Sequence, residues 1–309
     1  MKAMRLSDSA EPPVLVEENI PRPQPGRGEL LIQIYAAGVT SKELLWYPTT
    51  HSKNGERRSR AIPSHEFSGV VAAVGGGVVG FEVGQEVYGM NDWFAEGALA
   101  EYCITEPASV ARKPANLSHV QAASVPIGAL TAWQGLIDRA KLQAGERVLV
   151  HGGAGAVGIF AIQLARFHGA HVTATASARN HAFVAELGAE QVIDYQAVPF
   201  EKKAQGMDVV FDTVGGDTLE RSWEVLKTDG RLVTIAAESE ATPDERAKQA
   251  FFIVEPSHEQ LTRIGELLTA GQLHTFVDAA VPLAQAGAAY TGAVKERRGR
   301  GKLVVTVAP

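Results

Sequence analysis

The stretch Val148-Leu149-Val150-His151-Gly152-Gly153-Ala154-Gly155-Ala156-Val157-Gly158 decides how the second half of this chain is read. An apolar run breaks into glycines and resumes as Ile159-Phe160-Ala161-Ile162-Gln163-Leu164-Ala165, which has helical spacing. Strand, tight turn and helix therefore follow one another. Gly153 to Gly158 fits G-x-G-x-x-G, a pattern that carries weight only in such a position. On this reading Gly153 allows the tight turn, Gly155 lets the backbone approach a pyrophosphate, and Gly158 lets the helix pack on the strand. The helix's unpaired first amides and positive dipole end would hold the phosphates. An ordinary strand-to-helix turn also uses glycine, but this context favours a dinucleotide.

The end of the next strand chooses between dinucleotides. His171-Val172-Thr173-Ala174-Thr175-Ala176 reads as that strand. It lies about 20 residues past the glycines, where an NAD site places Asp or Glu on the ribose 2′-hydroxyl. Here Ser177-Ala178-Arg179-Asn180 follows, and the first carboxylate is Glu186. A hydroxyl and a permanently charged guanidinium suit a 2′-phosphate, so NADP(H) is expected. Ser177 as a helix cap and Arg179 as a solvated charge is the plainer reading, and both can hold.

Beyond residue 148 short apolar runs alternate with amphipathic ones. Val148–Val150, His171–Ala176, Gln191–Tyr195, Asp208–Val214, Arg231–Ala236 and Phe251–Val254 are expected strands, buried on both faces in a parallel sheet. Helices at Ala182–Leu187 and Leu219–Leu226 complete a doubly wound α/β domain. The first part is β-rich, with runs at Leu30–Ala37, Gly69–Val74 and Ala100–Ile104 broken by Pro and Gly. A final strand pair, Phe276–Val281 and Lys302–Val307, brackets a helix at Ala284–Lys295 and is expected to return to that β-rich domain. The expected division is 1–120 plus 272–309 against 121–271, the dinucleotide domain being an insertion. Pro48 to Arg60 reads as a solvated loop or as a cover.

The 309 residues are 45% hydrophobic and 21% charged, the balance of a soluble chain of about two domains. A net charge of −6 argues against nucleic acid as the main partner, and no apolar run is long enough for a membrane span. The start carries no apolar leader-like segment, so a cytoplasmic protein is expected. One cysteine, Cys103, excludes an internal disulfide and a four-thiolate zinc site.

Several segments then converge. Ala36-Ala37-Gly38-Val39-Thr40, Pro63-Ser64-His65-Glu66-Phe67-Ser68-Gly69, Val83-Gly84-Gln85-Glu86-Val87-Tyr88-Gly89 and Ala122-Ala123-Ser124-Val125-Pro126 come in order. They are followed by the glycine turn, Leu187-Gly188-Ala189-Glu190, Asp208-Val209-Val210-Phe211-Asp212-Thr213-Val214-Gly215-Gly216 and Arg300-Gly301-Lys302-Leu303-Val304-Val305. As a set they resemble the medium-chain dehydrogenase/reductases, specifically the zinc-independent quinone oxidoreductase branch that includes zeta-crystallin. The resemblance implies a Rossmann domain inserted into a GroES-like catalytic domain, NADPH, and a homodimer. It assigns Gly153, Gly155, Ala156 and Val157 to the pyrophosphate, and Ser177, Arg179 and Tyr195 to the 2′-phosphate. Val214 and Gly215 would border the ribose, and Ile235, Ala236, Phe252 and Val254 would flank the nicotinamide. Lys302 would return to the cofactor. Thr40, Tyr47 and Thr131 are the implied catalytic-site residues, although Tyr47 is equally readable as a packing tyrosine.

Zinc alcohol dehydrogenases of that superfamily carry a cysteine where Thr40 stands. The region of their third ligand, Ser124 to Thr131, has no Cys, Asp, Glu or His here. Three protein ligands are needed, so no metal is expected, and His65 and Glu66 are read as buried and hydrogen-bonded. Without a Lewis acid, a quinone or α,β-unsaturated carbonyl is the acceptor expected. A degenerate zinc alcohol dehydrogenase and a non-catalytic NADPH-binding protein stay open beside it. Trp46, Trp93 and Phe94 point either to an aromatic acceptor or to packing.

Overall fold

The computed structural model describes residues 1–8, 14–240 and 242–308. It divides into two units: Met1–Ile127 with Pro256–Gly271 and Thr275–Pro309, and Gly128–Glu255 with Gln272–His274.

The first unit begins with an antiparallel pair, β1 (Lys2–Leu6) and β2 (Leu15–Asn19). Then come β3 (Leu30–Gly38), β4 (Glu66–Val74), β5 (Glu86–Met90), β6 (Tyr102–Thr105) and β7 (Val110–Arg112), all antiparallel to their neighbours. Both faces of β3 are covered, and Leu30, Ile32, Ile34, Phe67 and Val71 share one core. Cys103 faces Ile32 across the β3–β6 pairing at 3% exposure, and burial pushes its thiol pKa up to about 12.

In the second unit β8 (Arg147–Val150), β9 (His171–Ala176), β10 (Gln191–Asp194), β11 (Met207–Asp212) and β12 (Leu226–Thr234) form a parallel sheet in the order β10-β9-β8-β11-β12. The chain enters at β8, moves outward to β10, then crosses to β11. The order therefore reverses between β8 and β11, where the loops at the strands' C-terminal ends diverge and leave a crevice. The sixth strand expected at Phe251–Val254 is reduced to one bridge, Thr234 to Phe251. Beyond it the backbone of Glu255 is satisfied by the Gln134 side chain, which accepts from its amide at 3.0 Å and donates to its carbonyl at 2.8 Å.

The helix His258–Thr269 then belongs with the first unit, not with the dinucleotide domain as the 121–271 division had it. Tyr88 donates to the Leu261 carbonyl at 2.6 Å, and His258 Nδ1 meets the Val110 carbonyl at 2.6 Å. The residues that bind this helix are thus in β5 and β7. The last strands, β13 (Val277–Pro282) and β14 (Lys302–Thr306), pair in parallel, and β14 joins β3 with Val305 opposite Ala37. Among the described residues no helix is long and apolar enough to cross a membrane.

Candidate active site

The glycine turn leaves β8 and enters the helix Gly158–Phe167. Its left-handed residue is Gly152 (φ 73°), one position before the Gly153 to which the motif assigned the tight turn. Gly153 serves packing instead, since a Cβ there would crowd Ile162, Ala174 and Val184. A Cβ on Gly158 would strike the Gly152 carbonyl, so this glycine lets the helix start against the turn itself. At Gly155 an added Cβ meets only the Gly152 carbonyl at 3.2 Å, and the residue is exposed. Among the described residues the amides of Ala156 and Val157 meet no acceptor of the chain. Open backbone, free amides and a helix start fit a pyrophosphate.

The other expected cofactor positions lie along the same edge. Ser177 and exposed Arg179 follow β9, and Tyr195, 58% exposed, follows β10. Ser177 makes no side-chain cap bond to the helical turn after it, and among the described residues Arg179 enters no ion pair. Val214 and Gly215 (φ 81°) follow β11, and Ile235 and Ala236 follow β12. The Phe252 amide donates to the Thr234 carbonyl at 3.2 Å, which sets it beside the end of β12; Phe252 and Val254 are both buried. The structure thus brings these residues to the C-terminal edge of one sheet. Thr131, buried, sits on the helix Pro126–Trp133, whose Gly128 packs on the Ala156 carbonyl.

Two polar residues under this edge escaped the motif reading. Asp212 is buried and accepts from the Val214 amide at 3.0 Å, the Gly215 amide at 3.1 Å and the Thr234 hydroxyl at 2.8 Å. Burial raises its pKa, against the pull of those three donors. His151 is also buried, with its pKa lowered to about 3 by burial and then by Arg221. Ser222 donates to the Thr218 carbonyl, so its oxygen accepts from His151 Nε2 at 3.0 Å. Nδ1 then accepts from the Thr175 hydroxyl at 3.2 Å, and the ring is fixed as the neutral Nε2–H form. The Asp-Thr-Val-Gly-Gly segment could have signalled the first, since a carboxylate before two turn amides is their natural acceptor.

In the first unit a polar cluster fills the space around the ends of β3, β4 and β14. His65 Nδ1 meets Glu43, which also accepts from the Ser64 amide at 2.7 Å and the Tyr290 hydroxyl at 3.3 Å. His65 Nε2 lies 3.1 Å from the Ala95 carbonyl. Lys302 Nζ is ion-paired with Glu66 and donates to Thr40 Oγ1 at 3.1 Å. Burial raises the Glu66 pKa, with the ammonium opposing it. Lys302 is thus engaged inside this cluster. Tyr47, 54% exposed, stacks on His51 at 4.3 Å.

In the loop from Pro48 to Arg60, Lys53 to Arg57 are exposed and Arg58 is tied down. Arg58 donates to the Pro48 and Ala95 carbonyls and pairs with Glu96 at 2.8 Å. Trp93, 7% exposed, packs edge-on against Trp46 at 4.9 Å.

Zinc does not fit this cluster. Both ring nitrogens of His65 are engaged, Glu66 is held by lysine, and Thr40 supplies no thiolate. Among the described residues no three His, Cys, Asp or Glu side chains are grouped to hold a metal ion.

Residues 26–115 match the alcohol dehydrogenase GroES-like domain, and residues 187–305 match the family described as zinc-binding dehydrogenase. A probable zinc-binding oxidoreductase, mitochondrial, of Arthroderma benhamiae is 32% identical, over 93% of this chain and 91% of its own length. A 2-methylene-furan-3-one reductase of Solanum lycopersicum is 33% identical, over 90% of this chain and 71% of its own. The solved quinone oxidoreductase from Coxiella burnetii superposes with a TM-score of 0.87 at 31% identity, covering 100% of this chain and 99% of that one. With these relatives and this sheet edge, the chain is a nicotinamide-dependent oxidoreductase and belongs to the medium-chain dehydrogenase/reductase superfamily, in its quinone oxidoreductase-like branch.

Proposed function

We propose that the protein is an NADPH-dependent reductase of quinones or α,β-unsaturated carbonyls that works without a metal. The observation carrying this reading is the polar cluster of the first unit, where Lys302 holds Glu66 and Thr40 and leaves no donor set for zinc. A saturated carbonyl would place full negative charge on one oxygen, which calls for strong stabilisation. A conjugated acceptor spreads that charge over its π system. Names of several relatives point the same way, including an NADPH-dependent alkenal/one oxidoreductase of Arabidopsis thaliana at 31% identity.

When bound, the cofactor supplies the hydride. The hydride adds to the electrophilic carbon, the π pair moves onto oxygen, and a solvent proton completes a two-electron reduction. The chain's own work is to hold and orient. In this reading the turn amides of Ala156 and Val157 take the pyrophosphate, and Arg179 with Ser177 and Tyr195 takes the 2′-phosphate. Thr40, Thr131 and Tyr47 supply the hydroxyls around the reacting groups, and the protein is taken to be a cytoplasmic homodimer.

The test is a panel of quinones, enones, enals and saturated ketones, run with NADPH and NADH in parallel and repeated after chelation. Quinones or enones reduced with NADPH, insensitive to chelator, are the expected result. Stoichiometric zinc with chelator-sensitive alcohol oxidation would overturn it, as would tight NADPH binding with no turnover. Arg179→Ala should lower kcat/KM for NADPH about 10–100-fold, the loss of one charge-assisted phosphate contact, and leave NADH unchanged.

A further inference from the structure

Lys302 opens β14 with its side chain 5% exposed, and a lysine buried that far is rare unless paired. Its partner Glu66 is fully buried at the start of β4, beside Gly38, where any Cβ would strike the carboxylate. Glu66 divides its oxygens: Oε1 faces the ammonium, and Oε2 accepts the Ile127 amide at 3.0 Å. The same ammonium reaches Thr40 Oγ1 at 3.1 Å. An ammonium donates and never accepts, so the direction of that bond is fixed. Thr40 oxygen accepts, and the hydroxyl hydrogen must point elsewhere. Among the described residues no acceptor of the chain takes it. Thr40 is only half-buried.

We propose that Lys302, braced by Glu66, is a positioning residue that holds Thr40 as a hydrogen-bond donor toward the oxygen of the hydride acceptor. This rests on the reading of the chain as a reductase of conjugated carbonyls or quinones. As the π pair arrives on that oxygen, Thr40 gives it a hydrogen bond and keeps its own proton, and solvent supplies the proton that completes the reduction. A bond accepted from a cation polarises the hydroxyl and strengthens its outgoing bond. Without the ammonium the hydroxyl turns freely about its C–O bond. Lysine therefore acts through threonine, and its own contact with the cofactor is not required.

Steady-state kinetics and NADPH fluorescence titration on Thr40→Val, Thr40→Ser, Lys302→Met and the Thr40→Val/Lys302→Met double variant test this. Thr40→Val is expected to lower kcat about 100-fold, the scale for one donor to a developing oxyanion. The NADPH Kd should hold within about 3-fold, since the lost bond is not to the cofactor. Thr40→Ser should restore kcat. Lys302→Met should lower kcat in the wild-type background and add nothing to Thr40→Val, the mark of one coupled unit. Urea unfolding of cofactor-free protein checks that each variant folds. Should Lys302→Met leave Glu66 stranded and unfolded, the Glu66→Gln/Lys302→Met pair is read in its place. Equal losses from removing Lys302 in both backgrounds would overturn the assignment. A weaker NADPH Kd with kcat unchanged in Thr40→Val would also overturn it, giving the free hydrogen to the cofactor's ribose. If wild-type protein reduces no acceptor, the proposed function falls first and this assignment with it; turnover with additive losses sinks the assignment alone.

Discussion

At Asp212 three donors converge on a buried carboxylate. Asp212→Asn keeps the shape but offers an amide N–H₂ where donors already point. It should cost about 1–3 kcal/mol, read from urea unfolding. His151 gives the pH counterpart. Its pKa is about 3 folded against an ordinary 6.5, so unfolding takes up a proton between those values. The stability supplied by the neutral ring is whole above pH 6.5 and is lost as pH falls toward 3. At pH 5 the loss should be about 2 kcal/mol, and His151→Gln should flatten that slope between pH 7 and 5. The Asp212 role had a local signal in the Asp-Thr-Val-Gly-Gly segment, and that of His151 had none in the sequence. His151 follows the expected strand Val148–Val150 and Asp212 falls inside Asp208–Val214, and only the fold brings Thr175, Ser222 and Thr234 to them. The open backbone at Gly155 is of a kind that a sequence can carry, because it is set within the turn itself.

The glycine turn separates two effects within one element. Gly155→Ala meets little beyond one carbonyl at 3.2 Å, so the turn should keep its thermal midpoint within a few degrees. NADPH Kd should rise about 10-fold or more, because the methyl stands where backbone must meet phosphate. Gly158→Ala drives a Cβ into the Gly152 carbonyl and should lower the midpoint before binding is considered. Calorimetry and fluorescence titration read the two apart. Elements whose periodicity is carried by their own residues were legible: β9 runs His171–Ala176 as expected, and β14 ends one residue short of the expected Val307. Phe251–Val254 was not, since an apolar run looks the same whether its backbone continues a ladder or, as here, makes one bridge to Thr234 while the Phe251 amide bonds back to Ala247.

For the whole molecule, the sequence implied a β-rich part and a dinucleotide part but misplaced the helix His258–Thr269. Nothing within its own residues says which unit it packs on; Tyr88 and Val110, far away in sequence, decide that. Tyr88→Phe removes a buried 2.6 Å bond from the first unit. It should lower stability by about 1–2 kcal/mol in urea unfolding while leaving kcat unchanged. The return of β14 to β3 was legible from the strand pair flanking the last helix, yet its partners in the polar cluster were not. Glu66 and Lys302 are 236 residues apart, and only the closed sheet makes them neighbours.

On the proposed function the acceptors are quinones and enones, electrophiles that alkylate thiols, so the protein would be exposed to covalent self-inactivation. Cys103 is the only thiol in the chain, buried on β6 opposite Ile32 of β3 with its pKa pushed up to about 12. Burial keeps it as the thiol at neutral pH, and thiolate is the reactive form. Folded protein should resist N-ethylmaleimide and its own acceptors over many turnovers, with labelling appearing only on unfolding.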